Sequence, residues 1–295
     1  MNQKHQENAL PLVSIALPVF NGAATLAVAI RSILQQSFEN WELIILNDAS
    51  TDHSLDVMKS FQDKRIRLVE GSENIGLSAR LNMAVDLARG LYFARMDQDD
   101  ISYPMRIEKQ LHFLQAHTDI DLLATAPTIF KGEGQVLGRW PISSEHEEIC
   151  AQPWNGFHFP HPTWMGKTTW FQKNRYDSRA DGAEDQDLLL RSYQVSRFAC
   201  LDEPLLAYYE GTRPLKKMLR ARRIFVQAYM RQFMLERKYA LVLRVACLLS
   251  LKMLADIVYA LCPSLSTRNT LTPLSKLEES RWEALWHHVN YLDAK

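Results

Sequence analysis

Residues 12–20 read L-V-S-I-A-L-P-V-F, an apolar run that only Ser14 interrupts. A nearly continuous apolar run of this length is typical of a strand buried on both faces of a sheet. The run leads into P-V-F-N-G, a turn signal, and residues 23–36 then show a helical pattern. Strand, turn and helix in this order indicate an element of a parallel sheet.

The same order recurs along the next hundred residues. Three more strands are predicted at residues 41–46 (W-E-L-I-I-L), 65–70 and 91–96, with helices at 54–61, 76–88 and 105–116. This alternation predicts an α/β fold with a mostly parallel central sheet and helices on both faces. Residues 120–180 lose the alternation, and a further helix is predicted at 182–193.

Size and composition narrow the class of protein. The 295 residues suffice for one large domain or a domain with an appendage, and 47% of them are hydrophobic, so a substantial core is expected. The 34 Lys and Arg balance the 34 Asp and Glu, so no overall charge directs the chain to nucleic acid.

Targeting signals and cysteines suggest the compartment. The four cysteines lie far apart, which suits a reduced cytoplasmic chain better than a disulfide framework or a zinc site. The first ten residues lack the apolar core of a signal peptide, and no uncharged apolar run approaches the ~18 residues of a membrane span. We therefore expect a cytoplasmic protein.

Three polar loops follow the predicted strands: P-V-F-N, N-D-A-S-T-D and M-D-Q-D-D. In open α/β sheets, ligands bind beyond the carboxyl ends of the strands. Because all three loops fall at such ends, we expect them to form one site.

The third loop is strongly acidic. Asp97, Asp99 and Asp100 fall within four positions, and like charges this close repel unless a cation lies among them. One Asp could cap the next helix, but this does not explain three. Mg²⁺ and Mn²⁺ bind carboxylate and phosphate oxygens together, so the loop is either a metal–diphosphate clamp or a solvated loop.

Other candidate residues each have two interpretations. Asp48 could accept a hydrogen bond from a nucleotide base or simply form an Asx turn. Asn74 and Arg80 are candidate donor-binding residues, with Arg80 suited to a phosphate or to pairing with an acid; alternatively they form a plain helix start. His161 and Trp164 could line an acceptor pocket or could be packed in the core.

Several nucleotide-binding and catalytic motifs are absent from the sequence. It has no G-x-G-x-x-G after the first strand, no G-x-x-x-x-G-K-[ST] and no G-x-S-x-G. A dinucleotide fold, a P-loop and a nucleophile elbow are therefore unsupported.

Taken in order, six segments resemble a family 2 glycosyltransferase of the GT-A fold, a Rossmann-like nucleotide-binding fold. They are V-S-I-A-L-P-V-F-N, W-E-L-I-I-L-N-D-A-S-T-D, E-N-I-G-L-S-A-R-L-N, R-M-D-Q-D-D-I-S-Y-P-M-R-I-E-K-Q, H-P-T-W-M and A-E-D-Q-D-L-L-L-R. The resemblance spans residues 12–210. It implies a GT-A catalytic domain at 1–212 and a helical C-terminal region at 213–295.

The resemblance also implies a donor site. Residues at the end of the first strand and the acid after the second would hold the nucleotide base and ribose; here they are Pro18, Phe20, Asn21 and Asp48. The bound donor would be a nucleoside-diphosphate sugar, with a UDP-sugar favoured.

The same resemblance assigns the acids. Asp97 would lie near the ribose and the metal, Asp99 would bind Mn²⁺ or Mg²⁺ at the donor diphosphate, and Asp100 would support the loop. Glu184 and Asp185 match the position of the catalytic base, with Asp185 preferred, although acids at a helix N-terminus also complement the helix dipole.

The implied reaction is inverting transfer of one sugar to an acceptor hydroxyl in bacterial polysaccharide, lipopolysaccharide or capsule synthesis. Processive relatives carry Q-x-x-R-W, whereas only S-R-W stands here at 280–282, which favours single-sugar addition. The alternatives are a metal-dependent nucleotidyltransferase and a non-catalytic protein that binds nucleotide sugars.

The C-terminal region is basic and apolar. Residues 213–244 hold ten Lys or Arg against the single Glu236, and apolar residues recur at near-helical spacing: Leu215, Leu219, Val226, Met230 and Phe233. The apolar run from Tyr239 is interrupted by Arg244, Lys252 and Asp256. We expect a helix lying on the inner face of the cytoplasmic membrane with its basic side on anionic headgroups, and a lipid-linked saccharide acceptor. The alternative is a helical appendage packed on the catalytic domain.

Overall fold

The computed structural model describes residues 10–211, 215–261 and 271–291. The strands of these residues form one mixed sheet of order β3-β2-β1-β4-β8-β6-β9-β5, with β7 paired to β6. The strands are β1 Val13–Val19, β2 Trp41–Asn47, β3 Ile66–Glu70, β4 Tyr92–Arg95, β5 Ile101–Ser102, β6 Leu122–Lys131, β7 Gln135–Arg139, β8 Met165–Lys167 and β9 Phe198–Tyr209.

Helices cover the sheet on both faces. They are α1 Leu26–Leu34, α2 Ser54–Ser60, α3 Leu77–Leu87, α4 Arg106–Ala116, α5 His146–Ile149, α6 Thr168–Lys173, α7 Glu184–Ser192, α8 Leu215–Leu235, α9 Tyr239–Leu261 and α10 Lys276–Tyr291. Short 3-10 turns stand at Pro153–Asn155, His161–Thr163 and Ser178–Ala180.

The first four strands confirm the predicted parallel unit. β1 pairs in parallel with β2 on one side and β4 on the other, and β2 pairs in parallel with β3. Every residue of β1 and β2 is buried, as their apolar runs predicted. Successive side chains point to opposite faces, so Ile44 packs in the core that contains α3, whereas Leu43 and Ile45 pack in the core that contains α1 and α4.

The second half of the sheet mixes strand directions. β8 is antiparallel to β4 and β6, whereas β9 runs parallel to β6. The prediction of a mostly parallel sheet therefore holds for β1–β4 and for the β6/β9 pair, while β5, β7 and β8 are antiparallel. Strands as short as β8, with three residues, leave no readable periodicity in the sequence.

The C-terminal helices pack on the rest of the chain. Tyr229 and Phe233 of α8 are buried in the same core as α7, and Arg231 reaches Asp177 at 3.1 Å. Trp282 of α10 packs on Phe130 with ring centroids 4.9 Å apart. The predicted domain limit at 212, together with Arg213, lies outside the described residues, so that division stays a prediction.

Both cations of α9 contact the protein, whereas we expected an outward basic side; Arg244 nevertheless stays exposed, and Lys252 is half-buried. The Arg244 guanidinium lies over the Trp154 ring, 4.2 Å from its centroid, and Lys252 Nζ donates to Asn155 Oδ1 at 2.6 Å. Among the α9 side chains that the structure describes, the exposed large hydrophobic residues are Tyr239, Leu243, Leu251, Leu254, Ile257 and Val258. Apart from Arg244, the described outward side of α9 is therefore largely apolar. Exposed cations of α8 are Lys216, Lys217, Arg220 and Arg223.

Within the described ranges, no helix combines the length and apolarity needed to cross a bilayer. The side chain of Asp256 lies outside the described residues.

Candidate active site

The acidic loop after β4 gathers three carboxylates. One oxygen from each of Asp97, Asp99 and Asp100 lies within 4.8 Å of the others. Burial, followed by the charge of Asp97, raises the pKa of Asp99 to about 6. Burial and the two neighbouring carboxylates raise the pKa of Asp100 well above its usual value. Repulsion among the three carboxylates and their burial therefore disfavour the fully ionised state of this loop.

A buried arginine compensates part of this charge. Arg95, at the end of β4, contacts Asp97 with both terminal nitrogens, at 2.5 Å and 2.8 Å. Asp100 Oδ1 accepts from the Tyr209 backbone N–H at 3.0 Å, whereas its buried Oδ2 has no hydrogen-bond partner among the described residues. Arg106 also interacts with Asp100, and Lys217 with Asp99, yet the pKa values of both carboxyl groups stay raised. An all-oxygen donor set with an unpartnered buried oxygen fits Mn²⁺ or Mg²⁺.

Gln98, which the sequence analysis did not single out, joins the acidic loop to the end of β1. The Phe20 N–H donates to Gln98 Oε1 at 2.8 Å, and Gln98 Nε2 donates back to the Phe20 carbonyl at 3.1 Å. A Cβ at Gly22 would stand 2.5 Å from the Gln98 amide carbon. Gly22 therefore makes room for this contact. The sequence alone could not show this role, because it depends on the two loops lying side by side.

The residues at the end of β1 that were predicted to bind the nucleotide differ in exposure, and their role stays a prediction. Phe20 exposes 46% of its surface just beyond β1, while Pro18 is buried inside the strand. Asn21 has φ 51°, in the left-handed region that Asn tolerates, and its Oδ1 accepts from the Thr51 N–H at 2.8 Å. The loops after β1 and β2 are thus held together.

Asp48, at the end of β2, is fully engaged within the protein. Its Oδ1 accepts from Arg80 Nε at 2.7 Å and from the Ile75 N–H at 2.9 Å, and its Oδ2 accepts from the Gly76 N–H at 3.0 Å. Arg80 is buried and also donates to the Glu73 carbonyl at 2.7 Å, so it pairs with an acid. Asn74 is exposed on the same loop, and its Nδ2 lies 3.3 Å from the Asp48 carbonyl.

These contacts give Asp48 and Arg80 a structural role in holding the 73–76 loop. A carboxylate oxygen can accept more than one hydrogen bond. Contact between Asp48 and a nucleotide base therefore stays a prediction, and so does donor binding by Asn74 and Arg80.

Two further acids begin α7. Burial, followed by the charge of Asp185, raises the pKa of Glu184 to about 7, and Glu184 Oε2 accepts from the Gly182 N–H at 2.6 Å. Burial also raises the pKa of Asp185. Asp187 instead pairs with Arg191 at 2.8 Å inside the same helix. Of the acids in the first turn of α7, Asp187 is thus the one that forms a close ion pair with an arginine of the helix.

A cleft of about 520 Å³ is lined by acids from both groups, although of the three acids after β4 only Asp97 lines it and Asp99 lines a separate cavity beside Tyr209. Asp97 and Arg95 line it from the β4 end, and Glu184 and Asp185 line it from α7. Its remaining walls include Trp140, Pro141, Ile142, residues 157–162 and Tyr208. A predicted donor ligand and the predicted base therefore share one cavity.

The two acceptor-pocket candidates differ in their exposure to this cleft. His161 lines it, and its Nε2 lies 2.9 Å from the Tyr176 hydroxyl. Burial, followed by the charge of Arg95, lowers the pKa of His161 well below its usual value, so the ring is neutral. Trp164 has no exposed surface and packs edge-on against His161, with centroids 4.4 Å apart. The prediction that Trp164 lines the acceptor pocket is therefore wrong, because the indole is buried in the hydrophobic core.

The cleft contains Asp97, which follows the carboxyl end of β4, the side on which open α/β sheets bind their ligands. Residues 14–175 match the sequence family described as Glycosyl transferase family 2. The EpsE protein of Bacillus subtilis (strain 168), named as a glycosyltransferase, is 36% identical over 217 residues, which are 71% of this chain and 77% of that protein. The uncharacterized glycosyltransferase MJ1057 of Methanocaldococcus jannaschii is 31% identical over 204 residues, 67% of this chain and 70% of that one.

The chain belongs to glycosyltransferase family 2. This finding supports the predicted glycosyltransferase and does not favour the alternative, a nucleotidyltransferase.

Solved structures agree with this assignment at the level of fold. The crystal structure of S. aureus TarS 1-349 in complex with UDP-GlcNAc matches with a TM-score of 0.60 at 16% identity, covering 94% of this chain and 81% of that one. The complex of the same TarS fragment with UDP matches with a TM-score of 0.57 at 18% identity, covering 74% of this chain and 65% of that one. The chain therefore has the GT-A fold that its sequence predicted.

Proposed function

We propose that this protein is an inverting glycosyltransferase that moves one sugar from a UDP-sugar to an acceptor hydroxyl. The observation that carries the proposal is the shared cleft, because both Asp97 and Asp185 line it. The TarS structures with UDP and UDP-GlcNAc, which share the fold, support the choice of nucleotide.

The acidic loop is proposed to be the metal site. Asp97 and Asp99 would hold Mn²⁺ or Mg²⁺, which when bound supplies positive charge to the departing diphosphate. Arg95 holds the Asp97 carboxylate through an ion pair, and Gln98 holds the loop to the backbone of Phe20 through a hydrogen bond. These contacts preorganise the two carboxylates before the donor arrives.

Asp185 is proposed to be the base. Its carboxylate takes the proton from the acceptor hydroxyl, and the oxygen forms a bond to the anomeric carbon as the bond to the diphosphate breaks. The raised pKa of Asp185 makes it a stronger base than an exposed Asp. Because attack and departure occur on opposite sides of the carbon, one displacement inverts the anomeric configuration.

The proposed process is bacterial polysaccharide synthesis with a lipid-linked acceptor. The TuaG protein of Bacillus subtilis, named for teichuronic acid biosynthesis, is 38% identical over 109 residues, 36% of this chain and 43% of that one. The apolar outward side of α9 and the exposed cations of α8 suit the surface of an anionic bilayer. We place the protein on the inner face of the cytoplasmic membrane.

A thermal-shift panel tests the donor and metal assignments. UDP, GDP, dTDP and CDP are each added with and without Mn²⁺, and a ligand at 100 times its Kd stabilises by about 2.7 kcal/mol. We expect UDP to raise Tm strongly only when Mn²⁺ is present. If no nucleotide raises Tm with either Mn²⁺ or Mg²⁺, the donor-site proposal is wrong. Acceptor-dependent release of UDP then separates an enzyme from a protein that only binds nucleotide sugars.

A further inference from the structure

A second, smaller cavity adjoins the cleft at the predicted base. Its volume is about 270 Å³, and it shares Asp185, Gln186, Phe157 and His158 with the larger cleft. Its other walls come from residues 155–156 and 182–183 and from the C-terminal helices, at Ala221, Arg222, Phe225 and Lys252. The C-terminal helices therefore build part of the surface next to the reacting hydroxyl.

The two cavities differ in charge. Among the residues that the structure describes in the wall of the smaller cavity, Arg222 and Lys252 stand against one carboxylate, that of Asp185. In the larger cleft, three carboxylates, those of Asp97, Glu184 and Asp185, stand against Arg95. Lys252 is held at the cavity wall by hydrogen bonds from its Nζ to Asn155 Oδ1 at 2.6 Å and to the Asn155 carbonyl at 3.3 Å. The smaller cavity is thus the positive one.

The order of groups across the site suggests what each cavity receives. Asp97 and Arg95 are absent from the residues that line the smaller cavity, so the donor diphosphate belongs to the larger cleft. An acceptor hydroxyl that gives its proton to Asp185 must approach from the other side of the anomeric carbon. The part of the acceptor beyond that hydroxyl then extends toward Arg222 and Lys252.

We propose that Arg222 and Lys252 bind an anionic group of the acceptor, a phosphate or diphosphate, beside the sugar whose hydroxyl reacts at Asp185. Guanidinium and ammonium groups form strong charge-assisted hydrogen bonds with phosphate oxygens. The inference rests on the proposed function, since it places an acceptor at Asp185. It adds the chemical class of that acceptor: a glycosyl phosphate or diphosphate, free or lipid-linked.

Binding of diphosphate probes tests this inference directly. Farnesyl diphosphate, inorganic pyrophosphate and farnesol are titrated calorimetrically into the full chain in EDTA, which removes metal from the acidic loop. The variants are Arg222→Gln and Lys252→Gln, with Arg223→Gln as the control because it removes the same charge from an exposed position of the same helix. Melting curves confirm that each variant is folded.

We expect farnesyl diphosphate to bind the wild-type chain and to lose about 10-fold or more in affinity in each cavity variant. Arg223→Gln should stay within about twofold, since a rim charge contributes little. Equal losses for pyrophosphate would show that the anionic group alone is recognised, and a loss confined to farnesyl diphosphate would show that the lipid is needed as well. If Arg222→Gln and Lys252→Gln both bind like Arg223→Gln, or if farnesol binds as tightly as the diphosphate, the inference is wrong.

A parallel measurement separates this inference from the proposed function. The Mn²⁺-dependent rise of Tm with UDP reports the donor site and should be unchanged in all three variants. Loss of that rise in the wild-type chain would overturn the proposed function. A normal rise with probe binding that ignores Arg222 and Lys252 would overturn only the acceptor inference.

Discussion

The carboxyl ends of β2 and β4 lie on either side of β1 in the parallel half of the sheet, yet the acids that follow them have opposite surroundings. Asp48 accepts hydrogen bonds from two backbone N–H groups and from Arg80, and it shows no crowding by like charge. The three acids after β4 lie within 4.8 Å of one another, and two of them have raised pKa values. The first arrangement is satisfied by hydrogen bonds within the protein, whereas the second leaves carboxylates crowded together, which is the basis of the proposed metal site.

The comparison distinguishes an acid whose hydrogen bonds stabilise a loop, Asp48, from the acids of the proposed metal site after β4. A buried carboxylate with all its hydrogen bonds made stabilises the loop around it. A buried carboxylate beside other carboxylates destabilises the apo protein, and such a cost is typical of functional sites. The first turn of α7 repeats the contrast, since Asp187 is paired with Arg191 while Asp185 faces the cleft.

The largest effect is expected at Asp185. Asp185→Asn removes the proposed base, so we expect kcat to fall by about 10²–10⁴-fold, while UDP binding and Tm change little. The measurement is the rate of acceptor-dependent UDP release. Asp187→Asn is the matched variant on the same helical turn, and because it breaks a buried ion pair it should lower Tm instead. Full transfer by Asp185→Asn would remove Asp185 from the mechanism.

The next effect concerns the Asp48–Arg80 pair. Arg80→Met leaves a buried carboxylate without its cation, so the free energy of unfolding should fall by about 3–5 kcal/mol. Urea denaturation measures this change. Lys59→Met is the control, because Lys59 and Glu70 form an ion pair with about half of each side chain exposed, and pairs of this kind contribute about 0–1 kcal/mol. Equal stability of the two variants would show that Asp48 is not a structural acid.

A smaller effect of opposite sign is expected at Asp99. Its folded-state pKa of about 6 lies above the ordinary 3.8, so ionisation of Asp99 destabilises the fold at pH 8, and this cost disappears below about pH 4, where both states are protonated. In EDTA at pH 8, Asp99→Asn should therefore be more stable than the wild-type chain, by on the order of 1 kcal/mol.

Metal should reverse this order. With Mn²⁺ and UDP, the wild-type chain should have the higher Tm, since only it keeps both metal ligands. Glu147→Gln changes an acid that is 70% exposed and should match the wild-type chain in both conditions. An Asp99→Asn variant that is less stable in EDTA would place Asp99 with the structural acids.

The sequence predicted β1–β4 and the helices between them because buried strands and amphipathic helices leave long, distinct patterns. Motif order also placed Asp97, Asp99 and Asp185 in one site; Asp97 and Asp185 do line one cleft, whereas a shared role with Asp99 stays a prediction. The sequence did not predict that Trp164 is fully buried, because a Trp beside a His reads the same in a pocket and in a core. The sequence also did not predict that Arg244 and Lys252 contact the protein, since their partners Trp154 and Asn155 lie about a hundred residues earlier in the chain.

The central claim is that the loop after β4 is a metal site held ready by the fold. The most direct test is a Mn²⁺ titration in the presence of UDP, with free Mn²⁺ followed by electron paramagnetic resonance. The account predicts a single Mn²⁺ site per wild-type chain that Asp99→Asn weakens by about tenfold or more, while Glu147→Gln leaves it unchanged. Equal Mn²⁺ binding by Asp99→Asn and the wild-type chain would contradict the account.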